Sequence, residues 1–177
     1  MALPFQTALV TGANGFIGGA LVLRLLAEGI TVRAMCRNPI NGQFLTGAEV
    51  VQGDVVDADQ LVRLAHGCDV IFHLAAVGAG SAAIQNRVNI AGAENVARAA
   101  IAVGVGRLIH VSTVAVYGMH LRGSVTENTP FNPSPRDFYQ QSKTTGERAV
   151  WQIAAQADLP LVVVRPALVY GRFCRKK

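Results

Sequence analysis

Tyr139 and Lys143 stand four positions apart in the run Tyr139-Gln140-Gln141-Ser142-Lys143. In a helix that spacing puts both side chains on one face, a turn apart. A free phenol has a pKa of about 10 and is a poor base near neutrality. A nearby ammonium stabilises the phenolate, which can then take the proton of a substrate hydroxyl while a hydride leaves the same carbon. Lys143 is the one lysine ahead of Lys176 and Lys177 in a chain that otherwise uses arginine. A lysine kept in such a chain points to a need for a compact ammonium rather than a planar guanidinium. The competing reading is an ordinary amphipathic helix that carries the pair by coincidence.

A hydride needs an acceptor, and Thr11-Gly12-Ala13-Asn14-Gly15-Phe16-Ile17-Gly18 offers a place for one. The segment lies between an apolar run and the first helical pattern. Gly12 permits the tight turn, Gly15 lets a pyrophosphate approach the backbone, and Gly18 lets helix and strand pack closely. Phosphates then lie at a helix N-terminus, where free N–H groups and the helix dipole favour anions. Asn14, Phe16 and Ile17 share the turn and are counted with the glycines as dinucleotide contacts.

About 20 residues beyond such a turn, an acid ending the second strand selects NAD by holding the ribose 2′-hydroxyl. Val32-Arg33-Ala34-Met35-Cys36-Arg37-Asn38-Pro39 contains no acid; Cys36 takes the expected position and Arg37 follows. An acid there would repel a 2′-phosphate, whereas an arginine can clamp one. NADP is therefore favoured over NAD, unless Arg37 merely solvates a loop.

The elements that must position these residues alternate. Short apolar runs at 5–10, 30–36, 49–52, 70–74, 107–111 and 161–165 read as strands. Helical spacing covers 16–28, with Ile17, Leu21, Leu25 and Leu26 inward, then 58–65 entered at Asp57, 84–103, and 138–157. A loop rich in Pro, Asn and Ser covers 118–136. Strand and helix in alternation predict an α/β fold: a Rossmann-type, doubly wound parallel sheet with helices on both faces. Residues 1–171 form one nucleotide-binding domain in this reading, followed by a short basic tail, 172–177.

Of the 177 residues, 51% are hydrophobic and 15% charged, which provides for a large core and argues against disorder. Three of the five net positive charges sit at Arg175, Lys176 and Lys177, and the other arginines are scattered, so no nucleic-acid surface is expected. Cys36, Cys68 and Cys174 are widely spaced, and His66, His73, His110 and His120 lack metal-ligand spacing; free thiols and no metal site are expected. The apolar stretch 8–27 is broken by Asn14, Arg24 and four glycines and reads as neither signal peptide nor membrane span. A cytoplasmic location follows in this reading.

The T-G-x-x-G-x-x-G spacing resembles the short-chain dehydrogenase/reductase superfamily, and further segments match its extended, epimerase/dehydratase type in order. Gly53-Asp54 is similar to the motif whose acid meets the adenine ring, with Val55 beside it. His73-Leu74-Ala75-Ala76 resembles the segment along which the cofactor lies, and Arg165-Pro166-Ala167-Leu168-Val169-Tyr170-Gly171 resembles the stretch after the sixth strand. The resemblance implies Asp54, Val55, Leu74, Ala75, Ala76 and Pro166 as further cofactor contacts, with Lys143 serving both cofactor and catalysis. It implies Thr113 as the catalytic hydroxyl, with Ser112 its neighbour, and Asn89 as a proton relay. Reductase, epimerase and dehydratase remain open, though Val114 stands where a dehydratase usually has an acid. The second-strand segment looks like that of dihydroflavonol-reductase-type members, which favour NADP. The family also implies a small-molecule substrate and a homodimer through 84–103 and 138–157. Its substrate-binding region normally follows Gly171, so the chain resembles a truncated member, expected to be inactive by itself. A non-catalytic dinucleotide sensor is the reading from another class.

Overall fold

The structure, a computed structural model, describes residues 3–119 and 123–171. His120, Cys174 and the tail 172–177 lie outside the described residues.

Six strands form one parallel sheet in the order β3-β2-β1-β4-β5-β6. They are β1 (Thr7–Thr11), β2 (Thr31–Cys36), β3 (Glu49–Gln52), β4 (Val70–His73), β5 (Arg107–Val111) and β6 (Leu161–Val164). The order reverses at β1, which pairs with β2 on one side and β4 on the other, so a crevice opens beyond the strand ends there. In register, Thr11 faces Met35 across one ladder and His73 across the other, and His73 faces His110.

Alternation along β1 builds two cores. Ala8 and Val10 join Val22 and Leu25 of α1 (Phe16–Ala27) on one face. Leu9 points the other way and joins α2 (Ala58–Ala65), α4 (Gly92–Val103) and α5 (Phe138–Gln156) through Leu61, Val96 and Val150. Asp57 caps α2 as expected, its Oδ1 accepting from the Gln60 N–H at 2.9 Å.

Two elements differ from the sequence reading. The inward face of α1 is Gly18, Gly19, Val22 and Leu25, while Ile17 is 38% exposed and Leu21 and Leu26 are half-buried. The helix is rotated because it rests on its glycines: a Cβ on Gly18 would stand 2.2 Å from the Gly12 carbonyl oxygen. The helix expected over 84–103 begins at Ala82 as α3 (Ala82–Asn86) and passes through a π turn, Arg87–Ala91, before α4. One added residue per turn is invisible to a count of 3.6. Against this turn α5 packs through Gly146, whose Cβ would come within 2.1 Å of the Asn89 carbonyl oxygen.

Candidate active site and dinucleotide cleft

The strand-to-helix turn has the conformation its glycines suggested. Gly12 sits at φ +67°, and a Cβ on it would meet the Ala75 N and Leu74 C at 2.8 and 2.9 Å. Nothing larger than glycine fits between the two loops. The Gly15 N–H donates to the Gly12 carbonyl at 2.9 Å, closing the turn at the N-terminus of α1.

Beyond the turn lies a cleft of ≈ 540 Å³, within the usual size of a cofactor site. Its walls combine four segments. Gly12, Asn14 and Gly15 form the floor; Met35, Arg37, Asn38 and Asn41 one end; Gly53, Asp54 and Val55 another; and Leu74–Val77 with Val88 the far side. Asp54 both caps a turn, accepting from the Val56 N–H at 3.3 Å, and lines the cleft. Arg37 is exposed at the rim, while Cys36, at the acid's position, is buried. Burial pushes the Cys36 thiol up, with the backbone N–H of Asn14 pulling the other way. The position that would repel a 2′-phosphate is thus neutral and turned inward. Phe16, Ile17, Gly18, Lys143 and Pro166 do not line this cleft. Met35, Asn38, Asn41, Gly53, Val77 and Val88 line it without having been assigned as cofactor contacts. Only the π turn brings Val88 there, and only the 3₁₀ turn Pro39–Gly42 brings Asn41.

Thr11 joins this floor to the Leu74–Ala76 wall. Its Oγ1 accepts from the N–H groups of Leu74 and Ala75, each at 3.2 Å, and lies 2.8 Å from His73 Nδ1. With its lone pairs taken by two N–H donors, the hydroxyl donates to His73, which fixes the neutral tautomer with hydrogen on Nε2. His73 is buried, and its pKa falls to about 3, first through desolvation and then through the charge of Lys143.

The catalytic candidates gather at the end of β5. Thr113 follows the strand and starts a 3₁₀ turn (Val114–Tyr117), accepting from the Ala115 N–H at 3.2 Å. Its hydroxyl lies close enough to the Tyr139 phenol to favour the phenolate. Ser112 instead points into the interior, buried and with its Oγ unpartnered. Lys143 is buried and donates from Nζ to the Val111 carbonyl oxygen at 2.9 Å. Its pKa falls to about 8 through desolvation, against which Glu147 acts. Tyr139, Lys143 and Thr113 are thus brought together at the end of β5. Burial holds the Tyr139 pKa above its usual value; the Thr113 hydrogen bond works against this, and Asp137 reinforces it. The Lys143 ammonium is held at the strand-end carbonyl of Val111.

Asn89 lies one layer below. Its Oδ1 accepts from the Val77 N–H, while its Nδ2 donates to the Val77 carbonyl and to Ser142 Oγ, all at 2.9 Å. The amide clamps the cleft wall to the residue beside Lys143. Pro166 accepts from the Val114 N–H at 3.0 Å, so the segment after β6 passes directly beside Thr113.

A family model described as NAD dependent epimerase/dehydratase family matches residues 8–177. The chain is 31% identical over 97% of its length to a 2-alkyl-3-oxoalkanoate reductase from Shewanella oneidensis, covering 46% of that protein. It is 33% identical over 94% to cinnamoyl-CoA reductase 1 from Petunia hybrida, covering 55%. The chain spans about half the length of the curated relatives it matches. Among solved structures it is similar to a UDP-glucuronic acid 4-epimerase from Bacillus cereus in complex with NAD, with TM-score 0.83 and 29% identity over 96% of this chain and 59% of the other. It is also similar to a dTDP-glucose 4,6-dehydratase from Streptomyces venezuelae with NAD bound, with TM-score 0.82 and 30% identity over 90% and 55%. The fold, the glycine turn against Ala75 and the ordered motifs agree with these likenesses, and the chain belongs to the NAD-dependent epimerase/dehydratase family.

Proposed function

We propose that the protein is an NADP-preferring oxidoreductase that transfers hydride at a carbonyl or carbinol carbon of a small molecule, with Tyr139 as the acid–base group. The observation that carries this reading is the convergence of Thr113, Tyr139 and Lys143 at the end of β5. This convergence also distinguishes it from a sensor that only binds dinucleotide. Residues 1–171 serve as the dinucleotide-binding domain. The glycine turn, Asp54 with Val55, and Leu74–Ala76 hold the dinucleotide, and Arg37 holds the 2′-phosphate.

The nicotinamide supplies the hydride in this chemistry. Tyr139 is protonated near neutrality, burial holding its phenol above the usual value, which suits the reductive direction. As the carbonyl carbon accepts hydride, its C=O electron pair moves to oxygen. That oxygen takes the phenol proton, and the phenolate is left behind. Thr113 donates to the reacting oxygens, and the Lys143 ammonium balances the phenolate charge. In the reverse direction Tyr139 accepts the proton from a carbinol. The reductases among the relatives favour carbonyl reduction, with Val114 where a dehydratase would carry an acid.

Two copies pair through 84–103 and 138–157, a reading supported by Trp151, 46% exposed on the outer side of α5. Tyr139→Phe tests the chemistry: turnover of reduced cofactor with a carbonyl substrate should fall by about 10² to 10⁴, with cofactor affinity nearly unchanged. Retained turnover at saturating substrate would overturn the reading.

A further inference from the structure

Tyr139 and Lys143 continue into a third residue at the same interval. Glu147 lies four positions after Lys143 on α5, so the three side chains follow one face of the helix. Glu147 is completely buried, and so is Lys143 except for 3% of its surface. A carboxylate so deep must be compensated, and Arg165, at the end of β6, does this as a fork. Its Nε donates to Oε1 and Oε2 at 3.0 and 3.2 Å, its Nη2 donates to Oε1 as well, and its Nη1 donates to the Tyr117 hydroxyl at 2.7 Å. The guanidinium also lies over the rings of Tyr117 and Phe131.

Replacing this pair with apolar side chains would be neutral or stabilising in many interiors. What distinguishes it here is its neighbour. Lys143 stands one helical turn from both Tyr139 and Glu147 on α5, and its charge reaches His73 on β4 and His110 on β5. Both histidines are held neutral by burial. Among the described residues, Glu147 is the one anion acting on the ammonium.

We propose that Glu147 is a positioning residue for Lys143: its buried carboxylate, one helical turn away and anchored by Arg165, is the counter-charge that keeps Lys143 protonated beside Tyr139. Arg165 holds the carboxylate from the end of β6, while Lys143 lies one turn back along α5. Without this anion, desolvation would strip the ammonium of its proton close to neutrality, and the phenolate would lose its balancing charge.

The inference rests on Lys143 being the working partner of Tyr139. Its test uses no substrate and no turnover, so either idea can fail alone. The chain has three lysines, two of them at the end, so the Lys143 amine is readily assigned in a ¹⁵N-detected lysine titration. Glu147→Gln should lower the Lys143 midpoint by about one pH unit or more. Arg165→Gln, which leaves the carboxylate unpaired except for Lys143, should raise it. A merely architectural pair would move both variants the same way or neither, and either result would overturn the proposal. Should Glu147→Gln alone not fold, Arg165→Gln is compared with the double variant Glu147→Gln/Arg165→Gln, in which two amides can pair. The midpoint should then fall between the first and the second, and an unchanged midpoint overturns the proposal equally.

Discussion

Thr11 Oγ1 lies 2.8 Å from His73 Nδ1, and through this contact the end of β1 holds the end of β4 in the neutral-imidazole state. Folding requires His73 to remain uncharged, because neither desolvation nor the nearby Lys143 tolerates an imidazolium. Between the folded pKa of about 3 and the ordinary 6.5, the unfolded chain binds more protons than the folded one. The stabilisation is therefore complete above about pH 6.5 and is lost as pH falls toward about 3. His110, lowered by burial and by its two charged or titratable neighbours, adds in the same direction. Denaturant midpoints should fall steeply below about pH 6, and His73→Gln should flatten that slope. A flat profile in the unmodified chain would mean that the imidazole is hydrated and titrates normally.

Asp137 has two opposed effects. Its Oδ1 accepts from the Tyr139 and Gln140 N–H groups at 2.9 and 3.1 Å and caps α5, while its charge raises the phenol. Asn caps a helix about as well as Asp. Asp137→Asn should therefore leave stability within about 1 kcal/mol and lower the Tyr139 pKa, seen as an earlier phenolate absorbance in an alkaline titration. A phenol that titrates later in this variant would remove Asp137 as a cause.

Arg37 sits at the cleft rim with no acid beside it on β2. Arg37→Ala should weaken NADPH binding by about 1.5–3 kcal/mol, the range of a charge-assisted hydrogen bond, and barely alter NADH binding. Calorimetric titration with both cofactors decides this. Equal losses, or tighter NADH binding by the unmodified chain, would shift the preference to NAD.

Trp151 gives the proposed pairing a sharp test. Buried aromatic anchors dominate many interfaces, and a charge in their place costs about 2 kcal/mol or more. Trp151→Glu should move the sedimentation profile from dimer toward monomer without changing the unfolding transition of the subunit. A profile identical to that of the unmodified chain would remove the α5 face from the interface.

The sequence by itself determined the parallel α/β architecture, the glycine turn and the one-turn spacing of Tyr139 and Lys143, while Thr113 came from the family resemblance. The first three rest on local regularities: a period of two or 3.6, a glycine where no Cβ fits, a four-residue spacing on one helix face. Cys36 and Arg37 were legible for the same reason, since their place is fixed by distance along β2 from the turn. Tertiary structure alone decided the rest. Asn89 became a clamp on Val77 because a π turn, which no 3.6 count detects, points its amide at that backbone. Lys143 is held at the Val111 carbonyl, and burial keeps the phenol above its usual value, because desolvation depends on what α5 buries and not on the spacing along it. Glu147 reads in the sequence as one more charge on a helix. Only the fold encloses it and brings Arg165, just after β6, to it, and burial in a poorly screened interior is what would make that single charge effective at Lys143.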